Sequence, residues 1–118
     1  MSIDTTALTE AYYKSLRNAD LTALVELYAE DAEVVRYDGS AKGRDEIRSF
    51  FESWLARYGS FSLVSVDNVR QVDDVALWDA TVDTQLGVLL TYDVAILEPD
   101  GLIRRHVPSV RGYWGGRQ

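Results

Sequence analysis

The spacing of apolar residues changes once along this chain, at Gly59, and that change constrains the fold more than any other feature. Before it, Ile47, Phe50, Phe51, Trp54, Leu55 and Tyr58 recur at intervals of three and four. This is the stripe of an amphipathic helix over 44–58, opened by Gly43 and stopped by Gly59. After Gly59 the period drops to two, and four strands fit at 61–72, 75–85, 88–97 and 102–114. Asp73-Asp74 separates the first two, Leu86-Gly87 the next pair, and Glu98-Pro99-Asp100-Gly101 forms the turn before the last. Upstream, Leu8, Ala11, Tyr12, Ser15, Leu16 and Ala19 mark a first helix that Asp4 or Thr5 can cap. Asp20 caps a second helix, whose apolar face is Leu21, Leu24, Val25 and Tyr28, and residues 33–37 read as a short strand. Helices followed by hairpin-linked strands predict an α+β fold, with three N-terminal helices packed on one face of an antiparallel sheet.

The 118 residues suffice for one domain, 1–118, and not for two. The net charge of −7 repels phosphate backbones and anionic lipid, so neither nucleic acid nor membrane is an expected partner. The longest apolar stretch, 86–90, falls far short of the roughly 20 residues that a membrane span needs. The first residues, Met1-Ser2-Ile3-Asp4, do not read as a secretory leader. Cysteine is absent, which excludes disulfides and thiol catalysis and makes the cytosol the expected compartment. With one histidine, His106, no multi-histidine metal centre can form, and neither metal nor cofactor is expected.

Three segments carry a family resemblance. They are Tyr12-Tyr13-Lys14-Ser15-Leu16-Arg17-Asn18-Ala19-Asp20-Leu21, Leu27-Tyr28-Ala29-Glu30-Asp31-Ala32 and Gly43-Arg44-Asp45-Glu46-Ile47-Arg48-Ser49-Phe50-Phe51. Together with Asp100-Gly101-Leu102-Ile103 and Gly112-Tyr113-Trp114-Gly115, they resemble the nuclear-transport-factor-2-like superfamily, in its SnoaL-like and ketosteroid-isomerase-like branch. The resemblance implies a curved sheet wrapped around helices into a cone with an apolar pocket. It also implies a homodimer and a hydrophobic small-molecule partner. Activities on this fold range over isomerases, dehydratases, cyclases, epoxide hydrolases and non-catalytic binders. Carried over residue by residue, Tyr12 falls on the oxyanion-hole tyrosine and Asp93 on the oxyanion-hole aspartic acid. Tyr28 falls on a second tyrosine bonded to the first, and Phe51 replaces a third. The general-base position is Arg36, and a guanidinium accepts no proton at neutral pH.

Each candidate also has a plainer reading. Tyr12 shares a helix face with Leu8 and Leu16, where a tyrosine can simply pack, or can aim a hydroxyl at a carbonyl. Asp93 sits in Val88–Leu97, a strand apolar on both faces, so its carboxyl must be neutral or paired with a cation. Arg36 alternates with Val34 and Asp38; it can pair with Asp93, anchor a ligand, or stay solvated. Asp38 can act as a displaced base, although Asp38-Gly39 is an ordinary turn signal. His106 becomes the best remaining base if it points inward, and an interface residue otherwise. A two-residue Leu86-Gly87 turn would pair Ala80 with Asp93, putting Trp78, Ala80 and Val82 on the Asp93 face and Asp79 and Asp83 on the other. Phe50, Trp54, Trp78, Tyr113 and Trp114 can line a pocket as well as a core. The expected function is a cofactor-independent isomerase, lyase or cyclase acting on a hydrophobic carbonyl compound through Tyr12 and Asp93. The alternatives are a non-catalytic ligand-binding or dimerisation module, and an epoxide hydrolase of the limonene-epoxide-hydrolase type built on Asp93, Arg36 and Asp38.

Overall fold

The computed structural model describes residues 5–59 and 61–115, without the side chains of 114 and 115. Three helices and six strands follow in the order α1 (Thr5–Arg17), α2 (Leu21–Val25), β1 (Tyr28–Arg36), β2 (Gly39–Lys42), α3 (Gly43–Tyr58), β3 (Phe61–Val72), β4 (Val75–Thr84), β5 (Gly87–Leu97) and β6 (Ile103–Gly115). The architecture is α+β: helices cover one face of a curved, unclosed sheet in the strand order β2-β1-β6-β5-β4-β3. The sheet is not wholly antiparallel, because β1 runs parallel to β6. Strand β6 therefore joins the β1–β2 hairpin to the β3–β4–β5 meander.

The punctuation residues act as their chemistry predicts. The Asp20 carboxylate accepts the Ala23 backbone N–H and caps α2. At Gly59, φ is +70°, a left-handed conformation that glycine adopts without strain, and its N–H closes α3 on Leu55 O at 2.7 Å. Two elements differ from the sequence reading. The second helix ends at Val25, and Tyr28 begins β1 instead of completing a helical face. Residues 39–42 form a short edge strand whose only buried residue is Ala41, too little apolar signal for a period to show. Helix α3 stops where expected, but its buried residues are Ile47 and Phe51, while Phe50 and Trp54 are half-buried.

The β4–β5 turn lies at Gln85-Leu86, one residue earlier than Leu86-Gly87, which moves each partner by two, so Trp78 and not Ala80 faces Asp93. A slip of two preserves the sidedness of every residue. Trp78, Ala80 and Val82 are accordingly buried on the Asp93 face, and Asp79 and Asp83 lie on the other. The core under this face is aromatic. The Tyr12 ring meets the rings of Tyr13, Phe51, Trp78 and His106 edge-on, with centroids 4.8–6.2 Å apart. No helix among the described residues is long and apolar enough to cross a membrane.

Candidate functional site

Strands β5 and β6 place Asp93 opposite Pro108, and Ala95 opposite His106. Asp93 and His106 are thus diagonal neighbours on one face of an antiparallel pair, within reach of each other's side chains. His106 Nε2 lies 2.7 Å from Asp93 Oδ2, and His106 Nδ1 lies 2.8 Å from the Tyr28 hydroxyl. All three residues are buried, Tyr28 and His106 completely. The arrangement spans three adjacent strands, β1, β6 and β5. When the Tyr28 O–H donates to Nδ1, the imidazole is neutral and its Nε2–H donates to the Asp93 carboxylate. The cation or donor that a buried carboxylate requires is therefore His106.

Arg36 does not fill that role. Its guanidinium stands 4.6 Å over the Phe50 ring and 3.6 Å from the Asp38 carboxylate, and both members of this pair are substantially exposed. An Asp93–Arg36–Asp38 constellation is not assembled, because Asp93 is bonded to His106 on the inside and Asp38 sits in the exposed turn between β1 and β2. The arrangement for water attack on an epoxide is lost with it. Tyr28 likewise bonds His106 and not Tyr12.

Two connected hollows open at this end of the sheet. The inner one, about 60 Å³, is lined by Tyr12, Tyr13, Leu16, Val82 and Asp93. The outer one, about 240 Å³, carries Arg36, Ser53 and Arg57 at its rim. Phe50, Trp54, Thr91 and Pro108 are walls of both. Of the expected aromatic lining, Phe50 and Trp54 are in place. Tyr28 and Trp78 are fully buried behind the wall, and the Trp114 side chain lies outside the described residues. Tyr13 was not singled out by the sequence. It accepts the Trp78 Nε1–H at 2.9 Å and faces the inner hollow beside Tyr12. Its signal was available: Thr9, Tyr13 and Leu16 form a second stripe on α1, next to Leu8 and Tyr12.

The three tyrosines are locked as proton donors. Burial, then the nearby Tyr28 and Asp93, push the Tyr12 hydroxyl well above the ordinary tyrosine range. Burial and Asp93 do the same for Tyr28 and Tyr13. None of them can serve as a base near neutrality. Asp93 is the only carboxylate that lines the inner hollow among the described residues.

The family whose description is "SnoaL-like domain" matches residues 9–106 of this sequence. The chain belongs to the SnoaL-like domain family. Solved structures agree on the fold of this SnoaL-like domain. A SnoaL-like protein of unknown function from Burkholderia thailandensis superposes with a TM-score of 0.77 at 14% identity, over 92% of this chain and 95% of that one. A protein from Sphaerobacter thermophilus gives 0.75 at 17% identity, over 89% and 94%. An NTF2-like protein of unknown function from Cytophaga hutchinsonii gives 0.72 at 14%, over 93% and 92%. A comparison with curated proteins finds no match. At these identities the SnoaL-like neighbours speak for the fold alone.

Proposed function

We propose that this SnoaL-like domain is a cofactor-independent enzyme that takes a proton from a hydrophobic, carbonyl-bearing small molecule. The observation that carries this reading is the placement of Asp93 on the inner hollow with the buried His106 bonded behind it. His106 Nε2, 2.7 Å from Oδ2, holds the Asp93 carboxyl at the hollow, which supports Asp93 as base in place of the oxyanion donor that the family resemblance implies. Asp93 would remove a proton from the carbon next to the carbonyl. The C–H electron pair would move into the carbonyl, giving an enolate whose oxygen accepts the Tyr12 O–H. Return of the proton to another carbon completes an isomerisation, and loss of a leaving group completes an elimination. His106 and Tyr28 hold the carboxylate in position, and Arg36 and Asp38 act at the rim and not on the reacting atoms.

The test needs no knowledge of the natural substrate. In deuterium oxide, proton NMR follows exchange at the acidic CH₂ of 2-tetralone. Wild type should accelerate exchange over buffer, and Asp93→Asn should lose roughly 10²–10⁴-fold of that acceleration. Equal rates for wild type and Asp93→Asn would remove Asp93 as the base.

A second reading, a non-catalytic ligand-binding module, draws on the complete burial and full hydrogen bonding of Tyr28 and His106, which also suits a purely structural network. It predicts that 2-tetralone binds without exchanging. The proposal extends to a homodimer through the outer sheet face. There Val88, Leu90, Tyr92, Val94 and Ile96 of β5 all remain at least partly exposed, although β5 is a central strand. Action in the cytosol completes this reading, supported by the absence of cysteine.

A further inference from the structure

The rim of the outer hollow differs in charge from the rest of the molecule. The chain carries a net charge of −7, yet the residues lining this hollow include Arg36 and Arg57 and no carboxylate among those described. One face of α3 builds one side of it. Phe50, Ser53, Trp54 and Arg57 follow at the i, i+3, i+4, i+7 spacing, a stripe separate from the Ile47 and Phe51 stripe that enters the core. Each end of this stripe steadies a guanidinium on an aromatic ring. Arg36 lies 4.6 Å over Phe50, and Arg57 lies 5.6 Å over Tyr58. Arg57 forms no ion pair among the described residues. The Arg36–Asp38 pair is long, at 3.6 Å, and exposed, so a ligand carboxylate can replace Asp38 at little cost. The Ser53 hydroxyl stands on the same rim, one turn before Arg57.

We propose that the outer hollow is an anion subsite, so that the molecule turned over at Asp93 is an amphipathic acid: its carbonyl end reaches the inner hollow, its apolar body lies along the shared walls Phe50 and Trp54, and its carboxylate is held by Arg36, Arg57 and Ser53. This rests on the inner hollow being the reacting site. The two guanidiniums set the ligand's orientation and keep its charged end away from Asp93, whose own charge repels it. They also account for an acidic protein taking up an acidic ligand: the attraction is local to the rim, within the roughly 10 Å over which exposed charges act at ordinary salt.

The probes are 2-naphthoate and its neutral near-isostere 2-naphthamide, with binding read by calorimetry. Wild type should bind the carboxylate about tenfold tighter than the amide, the sum of two partly exposed charge contacts. Raising the salt should narrow the gap. The Arg36→Gln/Arg57→Gln double variant should close it to about twofold and leave amide affinity unchanged. Equal binding of the two probes by wild type, or a gap that survives in the double variant, overturns the anion subsite and leaves the proton-transfer site standing. Failure of both probes to bind removes the hollow as a ligand site and takes the subsite with it.

Discussion

His106 Nε2 lies 2.7 Å from Asp93 Oδ2, and the two side chains seal each other inside a sheet that offers Asp93 no other cation among the described residues. Removing either partner leaves the other buried without its bond. Asp93→Leu and His106→Leu should each cost about 3 kcal/mol or more, and the double variant should cost clearly less than the two together. Chemical denaturation of the full cycle measures the coupling, expected at about 1–3 kcal/mol. Arg36→Met combined with Asp93→Asn should instead add to within about 0.5 kcal/mol, since the two residues share no partner.

Tyr12 and Tyr13 are neighbours in sequence with opposite expected behaviour. Tyr13→Phe strands the buried Trp78 N–H and should lower stability by about 1–3 kcal/mol. Tyr12→Phe breaks no hydrogen bond found among the described residues and should leave the melting temperature nearly unchanged. It should nevertheless slow exchange on 2-tetralone, because the enolate loses its donor. Thermal melts beside exchange rates for both variants check this. A Tyr12→Phe protein with full activity would exclude Tyr12 from the reaction.

Alkaline pH should unfold this protein through its tyrosines. The folded-state hydroxyls of Tyr12, Tyr13 and Tyr28 are raised by burial above the unfolded value of 10.0. Their contribution is therefore complete below pH 10 and is lost as pH climbs from 10 toward the raised folded values. Each tyrosine can add up to about 1.4 kcal/mol per pH unit to that decline. Urea midpoints between pH 9 and 11.5 should fall steeply in wild type and less steeply in Tyr12→Phe, whose stability at neutral pH is expected to be native. Parallel curves would mean that Tyr12 titrates normally in the fold.

The proposed outer-face dimer predicts a change of mass on substitution. Tyr92, 40% exposed in the middle of β5, sits at the centre of the apolar outer face. Tyr92→Lys with Val94→Lys should convert a dimer into a monomer in sedimentation velocity, without loss of helix or sheet signal. A wild-type monomer at all concentrations would refute the assembly.

The strands β3 to β6 were legible because Asp73-Asp74 and Glu98-Pro99-Asp100-Gly101 break an otherwise regular alternation of period two. What alternation cannot encode is distance along a strand. Trp78 and Ala80 share a side, and only the turn geometry chooses which of them meets Asp93. The same limit hid the partner of Asp93. Arg36 was an available cation on a strand of suitable sidedness, but β1 lies beyond β6, and the intervening strand brings His106 closer. A hairpin register counted from the Glu98–Gly101 turn, with Leu97 opposite Leu102, would have placed residue 106 directly opposite Asp93; the irregularity between Ile96 and Leu97 moves it opposite Ala95, diagonal to Asp93 and still within reach. Tyr12 and Asp93, the two residues that the family resemblance assigns to an oxyanion hole, both line the inner hollow, a placement that helix face and strand parity suffice to give. Tyr28 went astray because its neighbours Leu24 and Val25 are helical, and the chain turns into β1 within two residues.

The parallel pairing of β1 with β6 has a consequence for when the site can exist during folding. Tyr28 and His106 are 78 residues apart in sequence, and the bond between them closes about two-thirds of the 118-residue chain into a loop. Helices and the β3–β4–β5 hairpins form from local contacts, whereas this contact must wait for the C-terminal strand to slot between two segments already made. During synthesis the carboxylate of Asp93 is made 13 residues before the imidazole that will hold it. A chain arrested before His106 carries the acid, the tyrosines and most of the wall of the hollow, but not the group that binds them into one unit. The network therefore closes only with the last strand, and any chemistry that needs it would be acquired at that step and not before.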